Sequence, residues 1–346
     1  MEPTTQQLNP ADIMQVGMGF WPSKVLLTAV NEGLFTELAR QPLPLAEIKK
    51  LFNWNCTNRH AADFLDTLLA LKFLNREGIG NNAVYSNTEE TDFFLDKNKP
   101  TYIGGILEMA NNRLFRFWAD LDTGLKTGLA QNEMKTGGKN MFDAIYKSPE
   151  LLREFINAMS GLSIANFMTF ATRFDFSRYK TLCDIGGAGA MLSIQVANHN
   201  PHISCTSFDL PQVEPIAKEI IQRANLGDKI STAAGDFFNS SFPKADIIAM
   251  GMILHDWSEE KKIQLIKKAY DALPDGGAFV AIENIIDDQR SQNVFGLTMS
   301  LNMLIETAEG FDFTLDDFSK WTKQAGFKIV DLLPLAGPAS AAIAYK

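Results

Sequence analysis

Cysteine is scarce in this chain: Cys56, Cys183 and Cys205 are the only three, an odd number with no Cys-x-x-Cys pair. A disulfide-stapled fold is thereby excluded, and a reducing compartment is the natural setting. Histidine is also rare, with four residues, so imidazole chemistry can fall on very few positions. No run of eighteen apolar residues occurs, and nothing reads as a membrane span. The start, MEPTTQQLNP, lacks the basic-then-apolar order of a signal peptide. Positive charge is not in excess either: 32 Lys and Arg stand against 41 Asp and Glu, a net charge of −9. Phosphate backbones and anionic membranes repel such a chain, which argues against nucleic acid and membrane partners. A cytoplasmic protein is expected. What is present is ordinary globular composition, 46% hydrophobic and 21% charged over 346 residues, enough for two domains.

The first part reads as helical. Residues 12–40 carry Val16, Met18, Phe20, Val25, Leu27 and Val30 on a broad apolar face, with Pro22 placed to kink the span or divide it. PLPLAEIKKLF predicts a short helix with Pro44 near its start. In TNRHAADFLDTLLALKFL, Phe64, Leu65, Leu68, Leu69 and Leu71 recur at helical spacing behind Thr57 or Asn58 as N-cap. NREGIGNNAVYSNT then predicts a short β-hairpin turning at 78–82. Helix, helix, hairpin is the order of a winged helix. A DNA reader of that kind should be basic, yet residues 1–105 hold 9 Lys and Arg against 12 Asp and Glu, and Arg59 and Lys72 face Asp63 and Asp66. Dimerisation and capping of a substrate site is the preferred role.

Residues 106–165 read as further helices, with turn-like residues at 137–138. From residue 180 the pattern becomes alternating: TLCDIG, ISCTSFDL, KISTAAGD, ADIIAMGMIL, GAFVAIENII, FKIVDLLPL and SAAIAYK are candidate strands, with helices such as EKKIQLIKKAYDAL between them. Apolar strands separated by helices mean a parallel sheet covered on both faces. The link between the last two strands is too short for a parallel crossover, so the final strand is expected to run reversed. The fold class is therefore α/β: a Rossmann-like, doubly wound sheet of class I methyltransferase type with a reversed last strand. An all-helical winged-helix dimerisation domain, apart from its hairpin, precedes it. The domains are expected at 1–105 and 106–346.

The loop after the first long strand, Asp184-Ile185-Gly186-Gly187-Ala188-Gly189-Ala190, is built of small residues that let a ligand approach the backbone, and the helix beyond presents free N–H groups. Asp209 ends the next strand, 20 residues past Gly189, where a carboxylate accepts hydrogen bonds from ribose hydroxyls. A nicotinamide fingerprint would place Gly or Ala where Leu192 stands. S-adenosylmethionine, which has no pyrophosphate, fits better. Asp236 in GDFF follows the third strand, placed either to meet the adenine amino group with Phe237 beside the ring or to cap a helix.

Methyl transfer from a sulfonium to a hydroxyl requires alignment of the acceptor oxygen and removal of its proton. A phenol titrates at about 10, so a base near neutrality suits the task. His255 follows the fourth strand, at the carboxyl end where open sheets bind ligands. His199 and His202 flank Pro201 in a polar turn, and His60 starts a helix. Glu283, 28 residues beyond His255, ends the neighbouring strand, where it would fix the imidazole tautomer and stabilise the imidazolium. Nothing in the pattern calls for a metal.

GFWPSKVLLTAVNEGLF, CDIGGAGA, FDLP, GDFF, ILHDWSEE, ALPDGG and VAIEN together resemble the plant caffeate-type and acetylserotonin-type O-methyltransferases and their bacterial relatives, over nearly the whole chain. The resemblance implies that Asp184, Gly186, Asp209, Leu210, Asp236 and Phe237 line an S-adenosylmethionine site. It implies a second acidic residue beside His255, a place held here by Asp312. It also implies Met159 and Met303 as clamps on an acceptor, Thr307 at its far edge, and a homodimer in which Trp21 and its neighbours reach the partner's pocket. Two departures stand out. Ala188 and Ala190 occupy positions where the family commonly has glycine, and Gly251 stands where a Lys or Arg is often found.

The expected activity is transfer of the methyl of S-adenosylmethionine to a hydroxyl of a small, aromatic acceptor, with His255 as general base. Two alternatives remain at this point. One keeps the cofactor and changes the acceptor atom to nitrogen, carbon or a thioether sulfur, the last of which has no proton to lose. The other is a ligand-sensing winged-helix regulator.

Overall fold

The computed structural model describes residues 8–99, 101–136, 145–146 and 148–346. The turn expected at 137–138 lies outside the described residues. The chain divides into two compact units, one ending at Phe115 and the other beginning at Arg116.

In the first unit, the helical span expected over 12–40 is three helices: α1 (Ala11–Gly17), α2 (Phe20–Glu32) and α3 (Leu34–Arg40). Pro22 is not the point of division. It sits in the first turn of α2, where its missing N–H would have had no partner anyway. The break between α2 and α3 falls at Gly33, whose φ of 79° is left-handed and ends a helix at no steric cost. β1 (Leu43–Pro44) and α4 (Leu45–Leu51) follow. The hydroxyl of Thr57 accepts from the His60 amide and starts α5 (Asn58–Ala70), which buries Ala61, Leu65 and Leu68. β2 (Leu74–Glu77) and β3 (Val84–Asn87) form the expected hairpin, and β1 adds to β3 to give a three-stranded antiparallel sheet. On α5, Arg59 pairs with Asp63 at 3.0 Å, while Asp66 is held by Arg76 of β2 at 2.6 Å. α6 (Glu89–Leu95) starts from a capping box on Thr88. α7 (Gly104–Met109) packs on α2, so the division between the units comes after Phe115, beyond the 105/106 expected.

The second unit opens with α8 (Leu121–Thr127) and the long α9 (Pro149–Arg173), whose N-cap Ser148 accepts from the Leu151 amide ahead of Pro149. The strands and helices then alternate: β4 (Thr181–Ile185), α10 (Met191–His199), β5 (Ser204–Asp209), α11 (Glu214–Arg223), β6 (Ile230–Ala234), β7 (Ile247–Gly251), α12 (Glu259–Ala272), β8 (Ala278–Glu283), α13 (Val294–Glu306), α14 (Leu315–Ala325), β9 (Ile329–Pro334) and β10 (Ser340–Tyr345). They build one seven-stranded sheet in the order β6-β5-β4-β7-β8-β10-β9. β10 is antiparallel to both neighbours, as the short link predicts. Successive residues face opposite sides: Leu182, Ile247 and Val280 join the core under α9 and α10, and Cys183, Ile248 and Phe279 the core under α12 and α14. All six residues of β8 are buried, whereas the edge strand β9 is largely exposed and ends in Pro334, which has no N–H for a further strand. The strand order reverses at β4, and the loops after β4 and β7 leave in opposite directions. Ligand crevices open at such a point, at the carboxyl ends of the strands.

Candidate active site

The loop after β4 is shaped by its backbone. Gly186 has φ 71°, Ala188 46° and Ala190 59°. Left-handed geometry costs a residue with a Cβ about 1–2 kcal/mol, so the two alanines are strained where glycine would not be. Gly187 must be glycine for a different reason: a Cβ there would lie 2.4 Å from the Ser207 hydroxyl and 3.0 Å from a carboxylate oxygen of Asp184. Asp184 is accordingly buried beneath the loop, 3.4 Å from the Ser193 hydroxyl, and burial, with the nearby charge of Asp209, pushes its pKa up to about 7.

Asp209, at the end of β5, accepts from the Ala188 amide at 2.8 Å and from its neighbour Leu210 at 2.7 Å. Burial raises its pKa, and those two amides pull the other way. A desolvated carboxylate with lone pairs to spare fits the two hydroxyls of a ribose. Asp236 accepts from the Phe238 amide at 2.8 Å and the Asn239 side chain at 2.6 Å, so it caps the turn after β6. Phe237 packs edge-on against Trp257 and lies beside Gly186. Leu210, Ala188 and Tyr146 all pack against the small core of Leu152, Ile156, Val213 and Ile216. Sequence reading missed Tyr146. Burial, then the charges of Asp209 and Asp256, raise its phenol pKa. No spacing rule points to it, because the segment before α9 carries no motif.

His255 sits in a single 3₁₀ turn after β7 and is buried. Its Nδ1 is 3.6 Å from Glu283 and 3.7 Å from Asp312, and its Nε2 is 3.4 Å from Asp256. Asp312, though one methylene shorter than the family's usual glutamate, comes as close as Glu283 does. It arrives there because Gly310 lets its loop pass the histidine backbone: a Cβ at Gly310 would lie 2.5 Å from the His255 carbonyl. Glu283 is anchored from behind, one oxygen accepting from the Ile253 and Leu254 amides at 3.1 and 2.9 Å. Its other oxygen, both oxygens of Asp312 and Nδ1 of His255 are buried without a hydrogen bond. Burial works against a charged imidazole, but Glu283, Asp256 and Asp312 outweigh it and push His255 up to about 10. Burial raises Glu283 to about 7 and Asp256 to about 6. His255, Glu283 and Asp312 are also the one His/carboxylate group with metal-like spacing among the described residues, their donor atoms within 4.8 Å.

The remaining predicted residues are placed as follows. Met303 is buried near the end of α13, and Met159 is half-buried on α9. The Thr307 hydroxyl donates to the Met303 carbonyl and accepts from the Gly310 amide, both at 2.8 Å, so its visible role is to fix the turn leading to Asp312. Gly251 leaves no room for the basic residue often found there, since a Cβ would lie 2.8 Å from the Phe167 ring. His60, His199 and His202 are exposed. Trp21 is exposed at the start of α2.

Residues 118–328 match the family model of the O-methyltransferase domain, and residues 14–97 that of the O-methyltransferase dimerisation domain. The tetracenomycin polyketide synthesis 8-O-methyl transferase TcmO of Streptomyces glaucescens is 36% identical over 346 residues, covering 100% of this chain and 99% of that one. The N,N-dimethyltransferase OxyT of Streptomyces rimosus is 29% identical, covering 94% of each. The crystal structure of human N-acetylserotonin methyltransferase in complex with SAM superposes with a TM-score of 0.89 at 28% identity, covering 99% of both chains. The chain therefore belongs to the family of S-adenosylmethionine-dependent O-methyltransferases, with the sheet of a class I methyltransferase behind an N-terminal dimerisation domain. Among the described residues no helix is long and apolar enough to cross a membrane.

Proposed function

We propose that the protein methylates a phenolic hydroxyl of a small aromatic acceptor, working as a cytoplasmic homodimer with His255 as general base. The observation that carries this reading is the buried imidazole at the crevice, with Nδ1 facing two carboxylates that have no other partner on that side. S-adenosylmethionine supplies the methyl group as a sulfonium. Asp209 would take the ribose hydroxyls, and Asp236 with Phe237 the adenine. Asp184 and Gly186 hold the loop, and Leu210 lines it beside Tyr146. Met159 and Met303 offer soft, adaptable surfaces to a flat ring, with Thr307 at the far edge.

Glu283 and Asp312 hold the imidazole by Nδ1, which leaves Nε2, beside Asp256, to face the acceptor hydroxyl. The carboxylates raise the affinity of His255 for a proton into the range of a phenol, about 10. That makes the free imidazole a stronger proton acceptor and places the free base at higher pH.

Dimerisation is supported by the match over 14–97 and by Ile13, Met14, Val16, Phe20 and Trp21, apolar side chains left exposed along α1 and the start of α2. Light scattering on the full chain should give twice the mass of 38.4 kDa. Exclusion of nucleic acid rests on the negative charge of the first unit. A screen with methyl-labelled cofactor over phenols, indoles, hydroxy acids, amines and thioethers tests the acceptor class. Phenols should lead. The likeness to OxyT favours a nitrogen acceptor as the second reading, and preferential labelling of amines would replace the first with it.

A further inference from the structure

Behind the histidine cluster lies a cation that the mechanism above does not use. Lys262, on the first turns of α12, is fully buried, which is rare for a lysine. Its ammonium sits over the Phe311 ring at 3.3 Å from the centroid, with Trp321 at 5.9 Å and Phe313 at 6.0 Å, and it donates to the Trp257 carbonyl. Phe311 and Phe313 flank Asp312 in sequence, and Trp257 is two residues from His255. The cage holding the ammonium is thus built from the same short segments that carry the catalytic groups. The charged groups that act on it are Asp256 on the 3₁₀ turn, Glu283 on β8, Asp312 on its loop and Glu259 on α12, while Glu306 of α13 acts on Asp256. Nearby Lys261 is occupied by Glu309 at 2.9 Å.

Two buried carboxylates and the half-buried Asp256 around a single imidazolium leave two negative charges unbalanced, an expensive arrangement in a low-dielectric interior. We infer that Lys262 is a positioning residue, the second cation of the active-site cluster: its ammonium ties the Trp257 carbonyl, two residues from His255, to the rings that flank Asp312, and its charge offsets the carboxylates that orient His255. Burial lowers the pKa of Lys262 to about 8, and the same carboxylates hold it from falling further, so the ammonium is charged at neutral pH. A merely structural lysine would brace α12 through its bond to the Trp257 carbonyl and would leave no mark on the titration of its neighbours.

This inference rests on the base role of His255, and the test separates the two. Labelled-histidine NMR on the full chain with S-adenosylhomocysteine bound needs no acceptor, and with four histidines the His255→Ala spectrum assigns the ring. Removing a positive charge strengthens proton binding at every group around it, so in Lys262→Met the inflections sensed by the His255 ring should move up by about one pH unit. Lys262→Gln, which keeps a donor for the Trp257 carbonyl and loses the charge, should move them equally. Lys262→Met with Asp312→Asn, which removes one charge of each sign, should bring them back toward the wild type. Folded Met and Gln variants with wild-type inflections would overturn the inference. So would wild-type lysine-labelled spectra showing the Lys262 nitrogen as a neutral amine at pH 7, a measurement that needs no variant. In a kinetic arm on the best phenol from the screen, the rising limb of kcat should follow the NMR shift. If the ring inflections move and the kinetic limb does not, the base role of His255 fails and the role of Lys262 stands.

Discussion

The two halves of the proposed active site are built on different principles. The cofactor half, from Asp184 to Asp209, is local: one strand, one loop and the end of the next strand, held by backbone geometry and by amides that donate to Asp209. The acceptor half is assembled from distant segments. His255, Glu283 and Asp312 come from a turn, a strand end and a loop, and Lys262 from a helix, and what holds them is charge in a buried space. A local site tolerates an imperfect residue, as Ala188 and Ala190 show, at a modest backbone cost. A charge cluster is cooperative, so altering any member changes the protonation of the others.

The largest effect belongs to the charge cluster. His255→Ala should cut turnover with a phenol by about a hundredfold to ten-thousandfold, the usual worth of a general base, with cofactor affinity by calorimetry nearly unchanged. A folded variant that keeps full activity would remove the base from the mechanism. Next comes the cofactor half. Asp209→Ala should weaken S-adenosylmethionine binding by about 1.5–3 kcal/mol, typical of hydrogen bonds to a charged group, and leave the pH dependence of the chemical step alone. Equal affinity for wild type and variant would take the ribose from Asp209.

The pH profile sharpens the comparison further. A protonated imidazole cannot accept the acceptor's proton, so kcat/KM should rise with pH, and carboxylates that raise the His255 pKa move that limb above the ordinary value of 6.5 toward about 10. Glu283→Gln removes one of those carboxylates. Its limb should shift to lower pH while its optimum falls by only about tenfold, since the base itself remains. A limb that stays in place, or moves up, contradicts the assignment of Glu283. The smallest effect should come from the strained loop. Ala188→Gly should raise stability by about 0.5–1 kcal/mol in thermal unfolding, because the relief at φ 46° exceeds the entropy glycine adds to the unfolded chain. A destabilised variant would mean that the Ala188 methyl contributes more by packing than its backbone costs.

The seven strands, the reversed last strand and the cofactor loop were legible because each is written in a short window: alternating apolar runs, a link too short for a crossover, and a loop-to-acid spacing. The hairpin and the Thr57 cap were legible for the same reason. The division of 12–40 was misplaced because Pro22 attracts attention that belongs to Gly33, where a left-handed backbone ends a helix more decisively than a proline tolerated in a first turn. Asp312 was reached only through resemblance, since Gly310-Phe311-Asp312 carries no spacing signal relative to His255.

The order of elements, the location of the crevice and the choice of His255 as the candidate base were determined by the amino-acid sequence alone, through periodicity and through the rarity of histidine. Tertiary structure decided the electrostatics. Whether Asp256 is a bystander or the third charge on the imidazole, whether Asp312 reaches, and whether Lys262 is a solvated surface lysine or a buried counter-cation depend on segments far apart in the chain meeting in a space without water. There Coulomb interactions and desolvation, which no local pattern encodes, set the protonation of the site.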